Sequence, residues 1–485
     1  MSGLRSVCVA LARASSLITG TTHEKRELGQ LGGKPGPRPG VFFVAPEYVF
    51  TIACFAAHVH TTLGPGMTTN PTQVPAYPTA QESDPIPLGW MVGSPPPSDK
   101  LVRFADGSMM RFPQNRWANS NYRELVPTRN IARGLGPVAP LPRAERDDLD
   151  AVTYLPIGSS TPLRWSDSLD ANYTDGIVVL HKGQIVYERY FGALDCDRPH
   201  IAFSVTKSFI GTIAACLIHE GALNDAALVS HYVPELRNSA FGDATVRQVL
   251  DMTTALQYSE VYTDPNAEIW AHARAGGLMP RPAGYQGPDS FYEFLQGVQK
   301  LGTHGDAFSY KTINTDTLGW VVRRVTGLSL TESLSQRIWS RLGAEHDAYI
   351  TVDTHGTEFA GGGLNTTLRD LARFGEMMRN DGQARGQQVI PQAVVADIRK
   401  GADPMKFTPA GYVTLPGWSY RNMWWVSHNA HGAYMARGIH GQAIYIDPTA
   451  EMVIARYASH HIAGNMGIDP QSLPAYHALA LHLMG

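Results

Sequence analysis

Hydrophobic positions at helical spacing are concentrated in one stretch near the middle of the chain. Behind Phe203-Ser204-Val205-Thr206-Lys207-Ser208 come Phe209, Ile210, Ile213, Ala214, Cys216, Leu217 and Ile218, with Gly221 after the last turn. Apolar residues every three or four positions, closed by a glycine, predict a helix with Ser204 at its first turn. Upstream, the β-rich runs 177–180 and 185–187 flank Lys182-Gly183 and predict a hairpin. Further helices are expected over 224–236 and 245–252. Another is capped by Asn314, carries Leu318, Val321, Val322 and Val325 on one face, and stops at Gly327. Thr367 and Asp370 read as a capping box in front of a helix whose inner face continues through Leu371, Ala372, Gly375 and Met378. Strands are expected over 420–426, 442–446 and 452–457, and a closing helix over 471–484.

Strands near both ends of this pattern with helices between them predict a mixed α/β (α+β) fold. It is an antiparallel β-sheet flanked by helices, with an inserted all-helical subdomain over about 222–347. Residues 1–88 read differently. Runs such as Gly32-Gly33-Lys34-Pro35-Gly36-Pro37 make them a poorly ordered Gly/Pro/Thr-rich extension. Met67 is a candidate natural start, and the apolar patch 41–59, interrupted by Pro46 and Glu47, is short for a membrane span. The main domain is expected over 89–485, with 89–165 as an ordered lead-in.

Charge and composition narrow the function classes. Forty Lys plus Arg against 43 Asp plus Glu give a net charge of -3 over 485 residues, which announces no basic face for nucleic acid. Four scattered cysteines, Cys8, Cys54, Cys196 and Cys216, lack CxxC spacing and fit a reducing, cytoplasmic compartment. The sequence contains no H-E-x-x-H, Walker loop, G-x-G-x-x-G or G-x-S-x-G motif, so neither a metal nor an organic cofactor is expected.

The chemistry is concentrated in three motifs. Residues three apart share a helical face, so the Lys207 amine can lie over the Ser204 hydroxyl. Burial can depress a lysine by up to ~3 to 5 units and the helix dipole pushes the same way, which would make Lys207 a base for a serine nucleophile. Tyr310, in Ser309-Tyr310-Lys311-Thr312-Ile313-Asn314, is a second base or relay if a nearby ammonium lowers its pKa. Gly438-Ile439-His440-Gly441-Gln442 leads into a strand, and an N–H just after Gly441 would complete an oxyanion hole begun by Ser204.

In this order the motifs resemble the serine β-lactamase and penicillin-recognising fold, in its class C and esterase branch. The similarity is closest to 6-aminohexanoate-dimer hydrolases (nylon-oligomer hydrolases) and their carboxylesterase relatives. Tyr232-Val-Pro-Glu-Leu, Gln248-Val-Leu-Asp-Met, Arg324-Val-Thr-Gly and Arg369-Asp-Leu-Ala-Arg support it. The resemblance implies Ser204 as acylated nucleophile, Lys207 as its base and Tyr310 as proton shuttle to the leaving group. It implies Tyr262, Ala273, His440, Gly441 and Gln442 as substrate-binding, with Tyr262 over the substrate amide. Ile439-His440-Gly441 replaces Lys-Thr-Gly, removing the charge that would hold a β-lactam carboxylate. Ala273 stands where the most active dimer hydrolases carry an aspartate.

The expected partner is therefore a small-molecule amide or ester, with no nucleic acid or membrane; a homodimer is the assembly entertained. A carboxylesterase or D-amino-acid peptidase without nylon-oligomer activity, a periplasmic cell-wall enzyme and a silent ligand-sensing module stay open as alternatives.

Overall fold

The computed structural model describes residues 77–485. Met67, the apolar patch 41–59, Cys8 and Cys54 lie outside the described residues.

Eleven strands position the site: β1 (Thr128–Ile131), β2 (Thr174–His181), β3 (Gln184–Tyr190), β4 (His200–Ile201), β5 (Ala348–Thr351), β6 (Leu364–Thr366), β7 (Ser419–Arg421), β8 (Trp424–Val426), β9 (Tyr434–Arg437), β10 (Ala443–Asp447) and β11 (Met452–Ala458). Seven of them form one antiparallel sheet in the order β7-β8-β9-β10-β11-β2-β3. The amino-terminal hairpin β2-β3 is thus added to a carboxy-terminal meander. A second sheet, β1-β5-β6-β4, leads directly into the Ser204 segment.

The principal helices are α1 (Val205–His219), α2 (Glu268–Ala275), α3 (Phe291–Gly297), α4 (Ile313–Thr326), α5 (Leu368–Arg379) and α6 (Asp469–Met484). The pairing register decides which face each helix covers, because side chains alternate along a strand. Ile444 and Val453 share the face against α5, where a methyl group on Gly375 would come within 2.8 Å of both side chains. Tyr445 and Arg456 point the other way, to Tyr476 and Ser472 of α6. Strand β2, covered on both sides, is buried from Thr174 to Leu180 and reads as a continuous rather than an alternating run.

Helix α1 is buried on every side from Val205 to Leu217, so its sequence lacks a polar stripe. Phe209 stacks on Phe374 of α5 with ring centroids 3.7 Å apart. Gly211 lies against the β7–β8 turn, where a Cβ would sit 2.3 Å from the Asn422 carbonyl oxygen.

Several expected elements differ. The strand over 420–426 is a hairpin, because Asn422 and Met423 adopt left-handed φ values of 49° and 65° between β7 and β8. The helix expected over 224–236 shrinks to Val229–Tyr232 and a 3-10 turn at Pro234–Leu236; proline disfavours helical backbone at Val233 and cannot donate a hydrogen bond. Thr312, not Asn314, is the N-cap of α4; the Asn314 side chain bonds Thr254 Oγ1 and the Lys311 carbonyl. No capping box closes: the buried Asp370 carboxylate accepts the Thr367 hydroxyl and the Glu345 and His346 N–H groups, not the Thr367 N–H.

The lead-in is packed rather than merely draped. Val102, Met109, Ala118, Tyr122 and Val126 form a second cluster with Ile201 and Phe203. Part of the supposed extension joins it to the body: Arg116 donates to the Ala80 carbonyl and Ser83 Oγ, and Tyr173 donates to the Pro78 carbonyl. Residues 77–88 are therefore packed against the chain that follows.

Candidate active site

The segment before α1 sets the site. Phe203 holds φ at 43°, a left-handed conformation costly for an aromatic residue, and so turns β4 sharply into the helix. Thr206 stabilises this turn by donating to the Phe203 carbonyl at 2.6 Å while accepting the Leu364 N–H at 3.0 Å. Ser204 is left as the N-cap of α1, 9% exposed and facing a cavity.

Lys207 Nζ lies 2.8 Å from Ser204 Oγ, as the three-residue spacing predicts. The lysine is 1% exposed, and burial pushes its pKa down to about 8, opposed by the negative charges of Glu260 and Asp316. Its second partner is the Gly361 carbonyl, whose own N–H is held at 2.9 Å by Asp316 of α4. A side chain on Gly361 would sit 2.4 Å from Thr312 Cγ2, so that close approach requires glycine.

Tyr310 completes the cluster. Its ring centroid is 5.2 Å from Lys207 Nζ, which bonds the Ser204 hydroxyl. It packs 5.5 Å from Trp425 and 6.3 Å from Tyr420. The expected depression of its pKa is reversed. Burial, reinforced by Glu260, raises the phenol well above its ordinary value, and the nearby Ser204 hydroxyl only partly offsets this. Tyr310 is therefore a protonated phenol, able to donate a proton and ill suited to act as a base. The neighbouring Lys311 ammonium points away, to the Leu256 carbonyl.

Tyr262 and Ala273 line the Ser204 cavity together with Thr312, Ile439 and several apolar residues. His440, Gly441 and Gln442 do not. His440 Nδ1 faces the His460 carbonyl at 2.6 Å, and burial lowers its pKa. Gln442 bridges the Ile439 and Ala458 carbonyls and the Ala458 N–H, and the Gly441 carbonyl accepts Arg456 Nε. These groups brace a turn that presents Ile439 instead. Neither the Ile439 nor the Ser204 backbone N–H has a hydrogen-bond partner among the described residues.

The sequence reading missed Glu260. Its carboxylate accepts the Thr312 N–H and Oγ–H, both at 2.6 Å, and the Tyr262 hydroxyl at 2.8 Å. Nothing in Ser-Glu-Val-Tyr distinguishes this glutamate from a surface one, because Thr312, which it holds twice, is about fifty residues away. Asp316 and Gly361 were hidden for the same reason.

A serine, a neutral-poised amine and a protonated phenol in mutual reach are the parts of an acyl-transfer site. A family profile described as Beta-lactamase matches residues 170–466, which include all three. The chain belongs to the beta-lactamase family. It is a serine hydrolase of this family, and its relatives include a 6-aminohexanoate-dimer hydrolase of Paenarthrobacter ureafaciens, 38% identical over 354 residues. That match spans 73% of this chain and 87% of the relative. A solved structure assigned as a 6-aminohexanoate-dimer hydrolase from Bacillus anthracis superposes with a TM-score of 0.72 at 34% identity, covering 79% of this chain and 97% of the other. EstCE1, a hydrolase with promiscuous acyltransferase activity, shares the beta-lactamase fold alone, with a TM-score of 0.50 at 14% identity over 63% of this chain and 97% of its own.

Proposed function

We propose that Ser204 forms an acyl-enzyme with small linear carboxylic esters and amides, 6-aminohexanoate dimer among the candidate amides. Lys207 removes the Ser204 proton as the hydroxyl attacks the carbonyl carbon. The Ser204 and Ile439 N–H groups receive the developing oxyanion. Tyr310 then donates its phenolic proton to the departing alcohol or amine, recovering one from Lys207. Water attacks the acyl-enzyme with the same groups in reverse. The single observation that carries this reading is the 2.8 Å contact between Ser204 Oγ and a buried Lys207 whose pKa is lowered to about 8. A cytoplasmic homodimer is the setting we assign to it.

Ester cleavage is favoured over 6-aminohexanoate-dimer cleavage by the cavity itself. No Asp, Glu, Lys, Arg or His lines it, and Ala273 offers nothing to a substrate amine.

The test is fluorophosphonate labelling of the wild type and Ser204→Ala, followed by rates on a short p-nitrophenyl ester, an uncharged linear amide and 6-aminohexanoate dimer. Labelling of Ser204 with ester turnover is expected. An unlabelled protein without turnover would make it a ligand-sensing module. Introducing Ala273→Asp should raise the rate on an amine-bearing amide relative to the ester, and an unchanged ratio would remove position 273 from substrate contact.

A further inference from the structure

The Ser204 cavity is small. Its volume is about 80 Å³. A second cavity of about 360 Å³ lies beside it, and Met279 lines both. The second one is walled by Phe104, Leu125, Val126 and Pro127 of the lead-in on one side and by Met279 and Val352 on the other.

Its polar groups are already engaged. Arg281 donates to the Arg274, Ala275 and Asp289 carbonyls, and Asp353 accepts the Phe291, His355 and Thr357 N–H groups. What remains for a ligand is apolar wall. The same lead-in cluster supplies Met110 and Tyr122 to the first cavity, so the two cavities share both that cluster and Met279 as wall. The unbranched Met279 side chain, where the two meet, can yield to a passing chain.

We infer that the two cavities form one acyl channel, and that the enzyme takes linear, uncharged aliphatic acyl chains too long for the Ser204 cavity alone. This rests on the acyl-enzyme reading above. Direction follows from Tyr310. The proton donor to the leaving group packs against Trp425 and Tyr420, and none of the three lines either cavity, which leaves the cavities to the acyl side.

The experiment measures kcat/KM of the full chain on p-nitrophenyl acetate, butyrate, octanoate and decanoate below their micellar concentrations, with fluorophosphonate labelling alongside. Burial of a methylene from water is worth up to about fourfold. The expected result is a rise of two- to fourfold per methylene between butyrate and octanoate. Leu125→Arg, a partly exposed position in the second cavity, should reduce the decanoate-to-butyrate ratio at least tenfold, with thermal unfolding showing that the variant is folded. Met279→Trp should reduce the same ratio by closing the junction. Labelled enzyme whose rates peak at acetate or butyrate would overturn the channel and leave the acyl-enzyme intact. A long-chain preference untouched by both variants would overturn the route through the second cavity. Absence of labelling and of turnover on every ester would overturn the underlying reading instead.

Discussion

Glu260 and Thr312 are joined twice, through the backbone N–H and the side-chain hydroxyl, each at 2.6 Å. The carboxylate thereby caps α4, fixes the Tyr310 turn that precedes the cap, and holds Tyr262 on the cavity wall. Its charge also reaches Lys207, where it favours the ammonium and resists the depression that burial imposes. Glu260 positions the site and, through its charge, limits how good a base Lys207 becomes.

Replacing it separates the two effects. Glu260→Gln keeps the shape, loses charge-assisted bonds worth about 1.5 to 3 kcal/mol and should lower kcat about ten- to a hundredfold. Without the negative charge the Lys207 pKa falls further, so the acid limb of kcat/KM should move to lower pH. A reduced rate with an unmoved limb would leave Glu260 a purely structural cap.

For the wild type, the free enzyme is competent only with Lys207 neutral. Its pKa is lowered to about 8, so kcat/KM should rise with pH through about 8 and fall off below as the ammonium forms. Lys207→Ala should lose nearly all turnover, since members of a coupled catalytic unit fail together. An acid limb near the ordinary lysine value would contradict the burial seen here.

Tyr310→Phe should discriminate by leaving group. A raised phenol pKa suits proton donation, which amines require and p-nitrophenolate does not. Amide turnover should fall by about 10² to 10⁴, the usual range for general acid catalysis, and p-nitrophenyl ester turnover by about tenfold or less. Equal losses on both substrates would assign Tyr310 to acylation rather than departure.

A stability prediction comes from α1. Gly211→Ala would drive a methyl group to 2.3 Å from the Asn422 carbonyl and 2.6 Å from Met423 Cβ, against backbone that cannot swing away. Overpacking of this kind costs about 1 to 3 kcal/mol. Thermal unfolding should fall by several degrees, and an unchanged midpoint would mean that the β7–β8 turn is softer than its packing suggests.

What the sequence disclosed depended on distance along the chain. Ser204 and Lys207 sit one helical turn apart, so periodicity alone placed amine over hydroxyl. The β2-β3 hairpin was equally local. The hairpin hidden in 420–426 escaped because its turn is Asn422-Met423, without glycine or proline, and is held left-handed by packing against α1. The Asn314 cap failed because a remote carboxylate, Glu260, caps that helix from outside. The N–H after Gly441 belongs to Gln442, which does not line the Ser204 cavity; with His440 at φ 61°, it is Ile439 that does.

The lead-in that carries Met110, Tyr122, Leu125 and Val126 precedes residue 170, where the match to the family begins. Part of each cavity wall thus comes from a stretch that carries none of the reacting groups, so the lead-in can vary in shape while Ser204, Lys207 and Tyr310 stay as they are.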